Sequence, residues 1–145
     1  MGLFKKSTNT GGPKGLKILV ADDEVDIQTI LQRGLEAAGH TVVVASDGEE
    51  ALEKLKKEKI DLVILDIIMP KLDGIQVLQM IKKSPATRDI PVIMLTGQSS
   101  DEDLLKGYMY GADYYIPKPF KIQTVINGIA LILKPDPNRP PRYTI

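Results

Sequence analysis

The chain has 145 residues, enough for one compact domain with a substantial core. Its 43% hydrophobic and 26% charged residues are ordinary for a soluble globular protein. No apolar run approaches the roughly 20 residues a membrane span needs, and the absence of cysteine excludes disulfides and thiolate metal sites. Formal charge is zero overall, but residues 16–133 carry 13 basic and 18 acidic side chains, which argues against a nucleic-acid surface.

Residues 1–15 combine Gly11-Gly12-Pro13 with Ser, Thr and Lys and hold too few apolar groups to fold alone, so they predict a mobile arm. Met1-Gly2 does not open a lipidation signal, because Lys6 stands where that signal requires Ser or Thr. No signal-peptide pattern is present, and a cytoplasmic location is expected. From Lys17 the pattern turns regular. Ile18-Leu19-Val20 reads as a strand that stops at Asp22-Asp23, and Ile27, Ile30, Leu31, Leu35 and Ala38 recur at helical spacing up to the stop residue Gly39. Thr41 to Ala45 is a second strand. Ser46 and Glu49 have the spacing of a capping box, opening a helix with Ala51, Leu52 and Leu55 on its apolar side.

Asp61 to Asp66 is the third strand, and Leu62 to Leu65 are apolar at consecutive positions, which suits a parallel strand covered on both faces. Asp73 caps a helix carrying Ile75, Val77, Leu78 and Ile81 that ends near Ser84-Pro85. Pro91 to Thr96 is the fourth strand. Ser100 with Asp101, Glu102 and Asp103 starts a helix running to Gly111. Asp113 to Ile116 is the fifth strand, and Ile122, Val125, Ile126, Ile129 and Leu133 form the stripe of a last helix. Prolines 135, 137, 140 and 141 then forbid helix, so residues 134–145 predict an extended tail. Three segments result: an arm over 1–15, a domain over 16–133 and the tail.

Five strands alternating with five helices imply an α/β fold, a doubly wound parallel sheet with right-handed crossovers. All strand carboxyl ends then share one edge, where ligands of such sheets gather. That edge collects Asp22 and Asp23, Asp66, Thr96 and Lys118. Carboxylates converging in one crevice repel one another, and a hard divalent cation relieves them; magnesium binds through one or two carboxylates plus waters and a phosphate. Lys118 adds a positive charge and Thr96 a hydroxyl for a phosphoryl oxygen. Asp66 is the acid best placed as a nucleophile toward phosphorus, giving an aspartyl phosphate.

Asp22-Asp23, Asp66 with Met69-Pro70 and Asp73-Gly74, Pro91-Val-Ile-Met-Leu-Thr96-Gly97, and Gly111-Ala-Asp-Tyr-Tyr-Ile-Pro-Lys118-Pro-Phe120 resemble the receiver domain of two-component response regulators, over about residues 16–133. The resemblance implies a flavodoxin-like (βα)5 fold with strand order 2-1-3-4-5. It implies that Asp66 accepts phosphate from a phosphohistidine on a sensor histidine kinase or phosphotransfer protein. Asp22, Asp23, Asp66 and the backbone carbonyl of Ile68 would hold Mg2+, and Thr96 and Lys118 would contact the phosphoryl group. Tyr115 would be the aromatic switch partner of Thr96, coupling the site to the surface of the fourth helix, fifth strand and fifth helix, where an unidentified protein target or a second copy would dock. The Lys118–Pro119 peptide would be cis.

The resemblance suggests a single-domain regulator, catalysing only its own phosphorylation and dephosphorylation. A phosphotransferase turning over external substrate would favour a second acid at position 68, which is Ile68; a degenerate receiver used only for binding would not need the full acidic and basic set. Ile68 is apolar where many relatives are polar, and it and Gln98 occupy positions associated with phosphoryl lifetime. His40, the only histidine, is expected at the surface of a turn. Leu131, Ile132, Met109 and Tyr110 lie beside the predicted apolar stripes, where core packing and a partner patch are both open readings.

Overall fold

In a computed structural model of the chain, residues 15–97 and 110–133 are described. The arm before Gly15, the tail over 134–145, Gln98, Met109 and all but the end of the helix expected from Ser100 to Gly111 lie outside them. The elements in chain order are β1 (Lys17–Ala21), α1 (Val25–Ala37), β2 (Thr41–Ala45), α2 (Gly48–Lys57), β3 (Leu62–Asp66), α3 (Gly74–Lys83), β4 (Val92–Thr96), β5 (Tyr114–Pro117) and α4 (Ile122–Leu133). The strands form one sheet in the expected order β2-β1-β3-β4-β5, every pair parallel. Pro91 stays outside the β4 ladder because it has no N–H to give, while its carbonyl still accepts from Val63 N at 3.0 Å.

Side-chain parity divides the core in two. Leu19, Val63, Leu65 and Met94 face α2 and α3, which contribute Ala51, Val77, Leu78 and Ile81. Ile18, Val20, Ile64, Ile93, Leu95 and Ile116 face α1 and α4, which contribute Leu31, Leu35, Val125, Ile129 and Ile132. Every residue of β3 and β4 is buried, as the consecutive apolar positions require for a sheet covered on both sides. At about 1.5–3 kcal/mol for each fully buried aliphatic side chain, this double layer is the main support of the edge that carries the charged residues.

Three local expectations are corrected, and one open reading is resolved. The N-cap of α2 is Asp47, not Ser46: the Asp47 carboxylate accepts from Glu50 N at 2.8 Å, and Glu50 reaches back to Ser46 N at 2.7 Å. A carboxylate one residue closer to the helix outcompetes the hydroxyl for the free N–H. Ile30, placed on the α1 stripe, is 49% exposed, because α1 meets the sheet through Leu31 and Leu35. His40 is buried, not at the surface; its Nδ1 accepts from Leu16 N at 3.2 Å, tying the turn before β2 to the start of β1, and burial pushes its pKa down. On α4, Ile132 is core while Leu131 is half exposed. The end of the segment before β5 also packs inward, with Tyr110 against the α2–α3 layer.

Candidate functional site

The carboxyl ends of β1, β3 and β4 and the residue after β5 meet at one edge, so Asp22, Asp23, Asp66, Thr96 and Lys118 come together from chain positions as far as 96 apart. Carboxylate oxygens of Asp22, Asp23 and Asp66 all lie within 4.8 Å of one another. Asp22 is fully buried and Asp66 nearly so, while Asp23 is exposed. Asp22 is held in place from three sides: its backbone N–H donates to Ala45 O at 3.1 Å, its Oδ1 accepts from Glu24 N at 2.8 Å, and its carbonyl accepts from Gln28 Nε2 at 2.6 Å.

Asp66 enters a loop clamped from below. Its Oδ1 accepts from Ile68 N at 3.3 Å, and Gly74 N donates to Ile67 O at 2.7 Å. A Cβ on Gly74 would lie 2.7 Å from Ile67 Cα and closer still to the Asp66 carbonyl oxygen, so only glycine permits α3 to start so near the strand end. Asp73 then caps α3 with a complete capping box to Gln76. The Ile68 side chain is 62% exposed and brings no donor or acceptor, leaving only its backbone to contribute.

Lys118 lies in the middle of the acids. Its backbone N–H donates to Thr96 O at 2.6 Å, which brings the residue after β5 against the end of β4, and the Lys118–Pro119 peptide is cis as expected. Nζ donates to Asp66 Oδ2 at 3.1 Å and Glu24 Oε1 at 2.8 Å. It also stands 2.9 Å from Asp22 Oδ2 as an ion pair, off the angle of a hydrogen bond, so this buried oxygen has no hydrogen-bond donor among the described residues. Thr96 is buried. Tyr115 pairs with Met94, two residues before Thr96, so Tyr115 and Thr96 share the α2–α3 face of the sheet.

One ammonium among three acids leaves the carboxylates undercompensated. Burial raises the Asp66 pKa, the Asp22 charge adds to the rise, and Lys118 and the Ile68 N–H oppose it. Burial likewise raises Asp22 against the Glu24 N–H and Lys118. For Lys118, burial alone would lower the pKa, but Glu24, Asp22 and Asp66 outweigh it and raise it. A hydrogen-bond-deficient buried carboxylate oxygen within an all-oxygen, acid-rich cluster is the donor chemistry of a hard divalent cation. The residues present therefore fit magnesium, with carboxylate oxygens of Asp22, Asp23 and Asp66 close enough together to serve as its side-chain ligands.

Glu24 is the site residue that sequence reasoning missed. Its signal was the third acid in the run Asp22-Asp23-Glu24, but its partner Lys118 is 94 positions away, a pairing that only the sheet order creates.

The chain is similar to known proteins over the same span. The family model for the response regulator receiver domain matches residues 18–130. The alkaline phosphatase synthesis transcriptional regulatory protein PhoP of Bacillus subtilis (strain 168) is 45% identical over 118 residues, covering 81% of this chain and 48% of that protein. The transcriptional regulatory protein CpxR of Escherichia coli (strain K12) is 42% identical over 118 residues, covering 81% of this chain and 49% of that protein. The chain thus spans about half the length of the curated relatives it matches. Among solved structures, the chemotaxis response regulator CheY4 of Vibrio cholerae superposes with a TM-score of 0.78 at 31% identity, covering 83% of this chain and all of that one. A response regulator receiver domain protein from Clostridium thermocellum gives 0.75 at 36% identity, covering 81% and 94%.

Proposed function

This chain belongs to the response regulator receiver domain family of two-component signal transduction, and on that premise we propose that Asp66 accepts a phosphoryl group, with magnesium, from a phosphohistidine on a sensor histidine kinase or phosphotransfer protein. The observation that carries the reading is the Lys118 ammonium held 3.1 Å from Asp66 Oδ2 and 2.9 Å from Asp22 Oδ2 at the carboxyl edge of the sheet. A stable fold has no need to bury two acids against one cation. Phosphoryl chemistry does.

A carboxylate whose pKa is raised by burial is more basic than a free one, and its ionised form is therefore a better nucleophile. Its oxygen attacks phosphorus; the O–P bond forms as the P–N bond breaks, and the imidazole nitrogen leaves with the electron pair. Lys118 turns from the carboxylates to a phosphoryl oxygen, and the Thr96 hydroxyl donates to another. Asp22, Asp23, Asp66 and the Ile68 carbonyl would hold magnesium, which when bound would supply positive charge against the phosphoryl oxygens. Thr96, drawn toward the phosphoryl group, frees space on the face it shares with Tyr115, and Tyr115 carries the change to the surface along β5 and α4, where a protein partner reads it. Hydrolysis of the acyl phosphate returns Asp66. The chain thus catalyses its own phosphorylation and dephosphorylation and turns over no external substrate.

The reading concerns the receiver domain. PhoP and CpxR, transcriptional regulatory proteins by name, extend over about twice its span. Among the described residues no helix is long and apolar enough to cross a membrane. Incubation with magnesium and acetyl phosphate, followed by mapping of the adduct by mass spectrometry, tests the proposal. A base-labile phosphoryl group on Asp66 is expected; absence of an adduct, or an adduct that survives Asp66→Asn, overturns it.

A further inference from the structure

Glu24 breaks a local rule. It occupies the N-cap of α1, where Ser, Thr, Asp or Asn would accept a bond from the free N–H groups of the first turn, yet its side chain makes no capping hydrogen bond. Its carboxylate goes instead to Lys118, at 2.8 Å, a shorter contact than the 3.1 Å between Lys118 and Asp66. Departures from local consistency concentrate where function, not folding, decides the residue.

The three acids around Nζ differ in what happens to them when a phosphoryl group arrives. Asp22 is fully buried and stays a fixed charge deep in the site. Asp66 becomes an acyl phosphate and loses its carboxylate charge. Glu24, whose side chain is 59% exposed, keeps its charge at the outer edge and competes with the phosphoryl oxygens for the same ammonium. An ammonium has three N–H donors, so each one kept on Glu24 is withheld from the phosphoryl group.

We propose that Glu24 is a positioning residue that parks the Lys118 ammonium at the mouth of the site and so slows phosphoryl transfer to Asp66. The inference rests on the phosphoacceptor reading of Asp66. Because Glu24 is largely solvated, the restraint is soft: an exposed ion pair contributes little, and its release corresponds to a rate change of about 1.5-fold to fivefold. The parking is local, through one hydrogen bond, and so differs from a general repulsion of an anionic donor by surface acids, to which the exposed Asp26 in the first turn of α1 also contributes.

The test compares the whole chain with Glu24→Ala, Glu24→Gln and Asp26→Asn. One measurement is the initial rate of Asp66 labelling by acetyl phosphate at saturating magnesium. The other, without magnesium or donor, is the 1H–15N ammonium resonance of Lys118, assigned by its loss in Lys118→Ala. Glu24→Ala is expected to label about 1.5 to 5 times faster, Glu24→Gln to fall between it and the wild type, and Asp26→Asn to label at the wild-type rate. The Lys118 resonance should shift and exchange faster with water in both Glu24 variants. A Glu24→Ala rate at or below wild type, an equal acceleration by Asp26→Asn, or an unmoved Lys118 resonance overturns the inference while leaving Asp66 as phosphoacceptor. Absence of label on wild-type Asp66 overturns both together.

Discussion

Replacing Gly74 by alanine should damage this protein more than its size suggests, because the new methyl group has only backbone to push against. A Cβ there would stand 2.7 Å from Ile67 Cα and 2.9 Å from the Asp66 carbonyl carbon. Carbon atoms pack at about 3.5–4.0 Å, so the start of α3 and the end of β3 must separate by roughly 1 Å. That separation strains a close-packed loop, at about 1–3 kcal/mol. It also breaks the 2.7 Å bond from Gly74 N to Ile67 O, at about 1–3 kcal/mol if the groups stay dry. A destabilisation of about 3 kcal/mol follows, or a fall in Tm of about 6–12 °C for a chain of this size. Gly34→Ala is the matched control. Its Cβ would press on the Ile122 side chain, 2.5 Å from Cδ1 and closer still to Cγ1, both of which a rotation about Cα–Cβ carries aside, as no rotation does for backbone. Alanine inside a helix also gains about 1 kcal/mol over glycine, so the net change should be within about 1 kcal/mol of zero. Urea midpoints at unchanged slope measure both variants. If Gly74→Ala unfolds at the same urea concentration as the wild type, or as Gly34→Ala, the clamp is not what holds the loop. Labelling of Asp66 below the unfolding range should also fall in Gly74→Ala, since the displaced backbone is that of Asp66 itself.

Asp66→Asn should abolish labelling and, at pH 7, raise stability, measured by urea unfolding. The folded-state pKa of Asp66 is raised, so its favourable contribution is present only below the usual carboxylate value of 3.8 and is lost as pH rises through the raised one; the gain from asparagine should therefore vanish in acid, and a less stable Asp66→Asn at pH 7 contradicts the sign. Magnesium should stabilise the chain by about 2.7 kcal/mol at a hundredfold excess over its Kd. Asp23→Asn, at an exposed position, should remove most of that gain with little change in the metal-free Tm, and an unchanged magnesium response removes Asp23 from the ligand set. His40 is buried and neutral, with its pKa lowered from 6.5, so the unfolded chain protonates first and stability falls as pH drops through 6.5 toward the lowered folded value. His40→Gln should flatten the Tm profile between about pH 7 and pH 5, and a profile identical to wild type refutes this assignment.

Much of the fold was legible because its signals are local and repeated. Consecutive apolar residues at Leu62–Leu65, the cap at Asp73 and the stop at Gly39 each mark an element by chemistry within a few residues, and each holds in the structure. The misses came where two local candidates competed or where burial depends on a distant partner. Ser46 and Asp47 both offer a capping oxygen, and only the geometry of the turn selects Asp47. Ile30 has the right spacing for the core, but the angle at which α1 lies on the sheet leaves it at the rim. His40 looked like a turn residue and is one, yet the start of β1 passes over it and buries it.

The edge residues divide in the same way. Hydrophobic periodicity and turn chemistry are properties of neighbours in sequence, so the sequence alone determined that five strands end on Asp22-Asp23, Ala45, Asp66, Thr96 and the approach to Lys118. Which oxygen meets which nitrogen depends on sheet order and register, which are properties of strands far apart in the chain. Only the tertiary structure decided that Lys118 Nζ is shared among Asp22, Asp66 and Glu24, that Asp22 Oδ2 is buried without a hydrogen-bond donor among the described residues, and that Gly74 lies against the Asp66 carbonyl. The physical reason is the parallel sheet itself: it aligns every strand's carboxyl end on one edge and, by burying what lies behind that edge, makes each charge there depend on its neighbours and not on water.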